Sequence, residues 1–401
     1  MPKKCRVMNL IHTSLSNDWD DDFWAKWDIF LTKNPSAYLD SRSVKAAMNV
    51  PQRKLRALCW VDDSLNILGL ATIEDTAAVS QSKGQFLKAD RPVFKLAQRY
   101  LYRGDGKFKL NIRVLGMVLS SGDHAFRFAD HLSKEEIHNA IDEAVYLRPL
   151  TNSPVPRSIL IKDHYSEVPW GDRFAGKSSW HPKWVDLEFD PVMEIELKSD
   201  WTHFDDYSNA LRKKSRTKIR RILKTSEALI QRDLSLKEVM SNSDKLYDLY
   251  SKVYGRAGFQ LGKLHKEDII SLKEQWGDDF PVIGYYFEED LIGFQCGIVT
   301  DYTVEAFFVG FNENENRVHA IYQRMLLEFI NQGIERGSSR ISLGRTALDI
   351  KSSLGASPRR LSCHMRVNKP AIHFLLRVIA GASSPKIPQL KRAWKDDVIQ
   401  P

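Results

Sequence analysis

The stretch ISLGRTALDIKSSLGASP, residues 341–358, runs from an apolar, strand-like segment into two cations six residues apart, Arg345 and Lys351. Open α/β sheets bind ligands outside the carboxyl ends of their strands. Arg345, with Thr346 beside it, leaves such an end at Gly344. Lys351 reaches the same cleft if the chain between makes one and a half helical turns. Two cations there would hold a carboxylate, a phosphate or a thioester oxygen, the arginine as a planar fork and the lysine as a point charge. The competing reading pairs both with Asp349 or another local acid. Gly344 and Gly355 read as geometric residues. Glu305 is an acid inside the apolar strand YTVEAFFVG, where burial raises a carboxyl pKa; a surface glutamate on an edge strand is the alternative. Gln295 is a polar residue in another apolar strand.

Several chemistries lose support. The chain has no G-x-x-x-x-G-K-[ST] loop and no strand-linked G-x-G-x-x-G, and it lacks H-E-x-x-H and G-x-S-x-G. His124, beside Asp123 in SSGDHAF, looks the most catalytic of the histidines, against the reading of a turn histidine bonded to local backbone. Cys5, Cys59, Cys296 and Cys363 have neither metal-ligand nor redox-motif spacing, so reduced thiols and no metal are expected. The start has no apolar core of signal-peptide length, and no run reaches membrane-span length, HFLLRVIAGA being interrupted by Arg377. The expectation is a cytoplasmic protein. A peripheral contact with the inner face of the membrane rests on the apolar-then-basic stretch 373–395, for which a packed terminal helix with a polar tail is the favoured reading.

Hydrophobic residues at 43% and charged residues at 27% describe a globular chain, and 401 residues exceed one ordinary core. The net charge of +8 is local: RKKSRTKIRRILK, residues 212–224, holds eight basic residues and no acid, and without it acids and bases balance. Like charges at i,i+4 cost a few tenths of a kcal/mol per pair. The run therefore points to an anionic partner, against the plain reading of a solvated helix face.

The elements that must position these groups repeat. Residues 55–75 and 280–301 each read as strand, acidic turn, strand, and each is followed by a third strand (108–119, 302–312) and a helix. The first helix opens on Ser133 and Glu136, a capping box, with Ile137, Ile141, Ala144 and Val145 on one face. The second, 319–337, carries Ile321, Met325, Leu326, Phe329 and Ile330 at helical spacing and stops at Gly337. A degenerate internal duplication follows. Turn residues and prolines mark 147–186 as a connection around one short strand, 158–162. Beyond it the pattern predicts one long helix from about Asp205, with Tyr207, Leu211, Ile219, Ile222, Leu223 and Leu229 buried, and a second helix over 241–258.

Two helices before a hairpin, then strand, helix, strand and LGRTALDIKSSLGASP, resemble the GNAT acyltransferase fold. The resemblance is closest to tandem-GNAT proteins related to the peptidoglycan-bridge aminoacyltransferases, in a bacterial subgroup. It is carried by DDYSNALRKKSRTKIRR, LYSKVYGRAGF, LIGF, FFVGFN, IYQRML and LGRTALDIKSSLGASP, with LGMVLSSGDHAF and ILIKDHY in the first half, and spans most of residues 20–380. It implies that FFVGFN, with Phe308, Val309 and Gly310, is a splayed strand offering backbone to a donor, with 313–320, including Arg317, as the turn into the helix that takes a pyrophosphate. It implies a tyrosine near the leaving group, matched by Tyr322. The usual R/Q-x-x-G-x-G/A loop is missing, since NENENRVHAIYQ has no glycine and two acids before Arg317. Acyl-CoA as co-substrate and aminoacyl-tRNA as donor therefore both stay open.

The expected fold is α/β, two tandem GNAT-like domains, each a mixed, twisted sheet flanked by helices. Residues 1–160 form a degenerate N-terminal domain, 161–200 a connection, 201–385 the acyltransferase domain and 386–401 a basic tail. The expected function is transfer of an acyl or aminoacyl group to an amine by direct attack. Glu305, Tyr322 and Arg345 are the catalytic candidates. Phe308, Val309, Gly310, Arg317, Tyr322 and Lys351 go to the donor. Lys213, Arg216, Gln295, Gly344 and Thr346 go to an anionic, lipid or nucleotide-linked acceptor. The alternative is a non-catalytic binding protein docking an anionic polymer, tRNA or membrane through 212–224. If Arg345 holds a ligand, Arg345→Ala keeps the fold and abolishes the thermal shift given by coenzyme A, acetyl-CoA or a long-chain acyl-CoA; a structural Arg345 would instead lower the melting temperature itself.

Overall fold

The computed structural model describes residues 8–80, 108–148, 156, 158–165, 184–255, 259–368, 370–380, 390–396 and 398. The chain opens with β1 (Asn9–Thr13), α1 (Asp21–Leu31), α2 (Ser41–Met48), β2 (Leu55–Val61), β3 (Ile67–Ser80) and β4 (Phe108–Leu115). Next come β5 (Phe126–Phe128), α3 (Lys134–Val145), β6 (Ser158–Tyr165), β7 (Val185–Glu188) and β8 (Val192–Glu196). Then follow α4 (Phe204–Ala210), α5 (Lys213–Thr225), β9 (Ile230–Asp233), α6 (Leu236–Ser241), α7 (Ser243–Tyr254), β10 (Phe259–Gln260) and α8 (Lys266–Trp276). The rest is β11 (Val282–Phe287), β12 (Asp290–Val299), β13 (Thr303–Phe311), α9 (Glu313–His319), α10 (Ile321–Arg336), β14 (Arg340–Ser342), α11 (Leu348–Ser353), β15 (Ser357–Arg359), β16 (Leu361–Val367) and α12 (Pro370–Ala380). No helix of the described residues is long and apolar enough to cross a membrane.

Two compact units result: residues 1–189, 258–264 and 361–385 in one, and 190–257, 265–360 and 386–401 in the other. These divisions differ from the linear ones read from the sequence, because two strands join sheets far from their neighbours in the chain. In the first unit the order is β1-β2-β3-β4-β6-β16-β7, with β5 and β10 also on β3. In the second it is β15-β8-β14-β13-β12-β11-β9. Among the described residues each sheet has one parallel pair, β4 with β6 and β13 with β14, and each pair is bridged by a helical crossover. The hairpin, third strand, helix and parallel strand thus recur as the repeat predicts.

Local chemistry explains the helices. Ser133 and Glu136 close a capping box on α3, whose Ile137, Ile141, Ala144 and Val145 are all buried. The five apolar residues expected on α10 are buried, each contributing roughly 1.5–3 kcal/mol, and Gly337 ends the helix in the left-handed region. The predicted long helix from Asp205 is instead two. Leu211 and Arg212 are extended (ψ 155° and 153°), since Leu211 bridges Trp394 and the Arg212 amide donates to Ala393 O at 2.7 Å. Tyr207, Leu211, Ile219 and Ile222 are buried as expected, whereas Leu223 is 36% exposed. The helix predicted over 241–258 is α7, preceded by α6 across Asn242.

The segment 390–396 is fastened into the second unit by Trp394, which stacks on Trp201 (5.7 Å, 24°) and meets Tyr207 edge-on. Trp394 Nε1 donates to Gly355 O at 2.8 Å, and Gly355 has φ +95°. A Cβ there would overlap the Trp394 ring. Gly355→Ala is expected to lower stability by at least about 2 kcal/mol, read as a lower denaturant midpoint at unchanged m-value.

Candidate functional site

In the second unit β13 and β14 pair for three residues only, Thr303–Arg340, Val304–Ile341 and Glu305–Ser342. Beyond Glu305 the strand β13 runs on for six residues without β14, whose continuation through Leu343 and Gly344 bonds Met193 of β8. A β-bulge adds to the divergence: Cys296 faces Phe308 and Gly297 faces Ala306, leaving Phe307 as the extra residue. The two strands therefore split, as the resemblance implies for FFVGFN.

Glu305 sits at the vertex of this split, and it is no surface glutamate: it is 1% exposed. Directly paired residues share a sheet face, so Thr303, Glu305, Arg340, Ser342 and Glu194 point the same way. Thr303 Oγ1 donates to Glu305 Oε1 at 3.1 Å and Arg340 Nη2 does so at 2.9 Å, while Arg340 Nη1 donates to Glu194 Oε1 at 3.3 Å. One guanidinium thus serves two buried carboxylates. Burial pushes the Glu305 carboxyl up to about 7; Arg340 pulls against that and Glu194 adds to it.

Gln295 does not join Glu305. Along β12 it pairs with Val309, so it faces α10, three residues from Ile298, which pairs with Glu305. There Tyr285 Oη donates to Gln295 Oε1 at 2.6 Å, and the buried Gln295 Nε2 has no partner among the described residues. Tyr322 lies in the first turn of α10 on that same face, against Phe311 and Val309, with its hydroxyl pKa raised by burial. Glu305 and Tyr322 therefore lie on opposite faces of the sheet. Phe308 packs edge-on against Tyr250 (5.3 Å). Gly310 lets α7 come close, since a Cβ there would stand 2.5 Å from Tyr250 N. That fit is with the helix backbone.

The turn expected over 313–320 is the helix α9, capped by Asn312 and joined to α10 through Ala320 at φ 51°. Its Asn316 Oδ1 already accepts from Tyr322 N (2.9 Å), so one amide free for an anion in a glycine loop is occupied here. Arg317 is exposed and pairs with Glu313 at 3.6 Å.

Past β14, Arg345 is half-buried and Thr346 exposed. Gly344 has φ 74° and Ala347 φ 59°, the latter a costly conformation for a residue with a Cβ. Lys351 turns inward: it is 2% exposed and its Nζ donates to Gly344 O at 3.1 Å. Among the described residues it pairs with no carboxylate; Asp349 instead holds Lys391 at 2.9 Å. Burial pushes the Lys351 amine down to about 7. On α5, Lys213 is exposed and Arg216 half-buried on the outer side of the helix.

Sequence reasoning missed Arg340 and Glu194. Their only signal is alternation, polar 340 and 342 around Ile341, polar 194 and 196 around Ile195. His124, in the first unit, is bonded by Nδ1 to Ser36 Oγ at 2.8 Å, a partner 88 positions away in the chain. Among the described residues no group of His, Cys, Asp and Glu could hold a metal. The three described cysteines are buried and unbridged; Cys5 lies outside the described residues.

No family model matches the chain, and no curated protein matches it in sequence. Solved structures do. FemX matches at a TM-score of 0.51 and 10% identity, over 92% of this chain and all of its own. The C-terminal domain of a putative lysylphosphatidylglycerol synthetase from Agrobacterium fabrum (TM-score 0.47, 11% identity, 90% and 96% covered) matches more loosely. So does a tandem GNAT protein from the clavulanic acid biosynthesis pathway (0.46, 9%, 91% and 99%). At such identities the likeness to FemX speaks for the fold: a mixed α/β chain of two GNAT-like units.

A buried lysine whose amine is pushed down to about 7 has a definite pH signature. Its folded pKa lies below the unfolded value, so stability is lost as pH falls from about 10.5 towards about 7. Lys351→Met should raise the melting temperature at pH 6 and have little effect at pH 10.5; an equal shift at both would mean that Lys351 is charged in the fold.

Proposed function

We propose that this chain, tandem GNAT-like in fold, transfers an acyl or aminoacyl group from a thioester or ester to an amine at the split between β13 and β14. The observation that carries this is the early end of the parallel ladder with a buried carboxyl, pushed up to about 7, at its vertex. A general base works best with a pKa near the operating pH.

In this reading the amine nitrogen attacks the carbonyl carbon. A C–N bond forms, the C–S or C–O bond to the donor breaks, and Glu305 takes the proton the nitrogen sheds. Tyr322, from the other face, gives a proton to the departing thiolate or alkoxide. Arg345 holds a donor or acceptor oxygen, and the edge of β13 past Glu305, with Phe308, Val309 and Gly310, lies along the donor. Arg340 and Thr303 keep the Glu305 carboxylate aimed.

The same geometry bears on the donor. α9 begins with Glu313 and Glu315, and Asn316 takes an amide of α10, which weakens any diphosphate site there. That supports an aminoacyl ester over an ordinary coenzyme A thioester, and equally supports the second reading, a binding protein without turnover. Release of free thiol from acyl thioesters, and loss of the ester from aminoacyl-tRNA, in the presence of an amine panel tests both.

Turnover that rises with pH through about 7 is expected. Glu305→Gln should flatten that rise and lower kcat/KM by about 100-fold or more, with donor affinity unchanged. A Gln variant with full rate would remove Glu305 from the chemistry. No turnover with either donor would favour the binding protein.

A further inference from the structure

A second concentration of charge in this unit lies where α5, α11 and the 390–396 segment meet. Lys218 Nζ donates to Ser353 Oγ at 2.7 Å. Lys391 is held from two sides: its backbone N donates to Ser352 Oγ (3.3 Å) and its Nζ pairs with Asp349 Oδ1 (2.9 Å). Arg221, one turn along α5 from Lys218, faces the same place and is exposed. Burial, then Lys391, then Arg221 push the Lys218 amine below the usual lysine range, with Asp349 acting the other way. Around Lys218, two further cations therefore stand against one carboxylate.

Such crowding is unfavourable in the chain by itself. The 390–396 segment is nevertheless pinned: Arg212 N donates to Ala393 O (2.7 Å), Lys395 N to Ala210 O (3.1 Å), and Trp394 is stacked on Trp201. Ser352 and Ser353 spend their own hydroxyl protons on Asp349 O (3.0 Å) and Ile350 O (2.6 Å), so their free lone pairs fix the two lysines. The fold thus brings three repelling groups together and fixes two of them, Lys218 and Lys391. Their outward neighbours Lys213, Lys214, Arg220, Lys224, Arg392 and Lys395 are exposed as well and keep the local potential positive.

We propose that Lys218, Arg221 and Lys391 form a binding subsite for a phosphate monoester or diphosphate group. A dianion matches the uncompensated charge, where a single carboxylate would match only part of it. Arg221 supplies a planar fork and the two lysines supply point charges. The inference goes beyond the transfer reading and does not need it, because binding is read without turnover. The group could belong to a coenzyme or to a nucleotide-linked acceptor, and the chemistry of recognition is shared.

The test is calorimetric titration of the full chain with inorganic pyrophosphate at low ionic strength. Saturable one-to-one binding is expected, weakened about tenfold in Lys391→Ala and further in Lys391→Glu. Both changes are at an exposed side chain, and an unchanged melting temperature certifies the fold. Lys224→Ala, on the same helix outside the cluster, should bind as the parent does. Competition by coenzyme A but not by uridine diphosphate makes the source a coenzyme; the reverse makes it a nucleotide-linked ligand. Absent binding, equal weakening by Lys224→Ala, or pyrophosphate binding that neither compound displaces (an adventitious ion only) would each overturn the proposal.

Discussion

Arg340 stands between two carboxylates that the sheet has taken out of water, Glu305 on β13 and Glu194 on β8. Removing a charge from water is expensive, and a pair recovers the cost only with good geometry. Here one cation must satisfy two anions, and β14, three residues long, carries it. The strand order β8-β14-β13 is what makes that possible, because each register pair puts the three side chains on one face. The vertex of the split is built around this contact, while burial, against the pull of Arg340, keeps the Glu305 carboxyl pushed up to about 7.

The opposite face of the same strands is apolar. Val304, Ile341 and Ile195 alternate with the polar row and pack against α10 and α5 in the main core of the unit. This division explains why Gln295 and Tyr322 belong to a different environment from Glu305. The two cations of GRTALDIK have diverged in the fold: Lys351 ties α11 to Gly344, and Arg345 stays half-buried beyond the strand end.

Charge in this unit follows a similar logic. The basic run of α5 buries Ser215, Ile219 and Ile222 and turns its cations outward. That face cannot insert apolar groups into anything, since its apolar side is spent on the core. The 390–396 segment adds cations to it, at a position set by Trp394.

The sequence by itself determined the elements that depend on near neighbours. The capping box at Ser133, the α10 stripe ending at Gly337, both hairpins and the bridging helices follow from spacings of a few residues, and with them the repeated α/β order. Glu305 stood out as an acid in an apolar run, but burial and exposure read alike in one strand. Only the tertiary structure decided between them, through Arg340 and Glu194, which lie 35 and 111 positions away in the chain. It alone decided that β16 enters the first sheet and β8 the second, because strand pairing is a contact between backbones and leaves no mark on residue type. The break at Leu211–Arg212 was invisible for the same reason: it depends on Trp394, and a helix-compatible sequence yields when a distant partner offers its backbone better bonds.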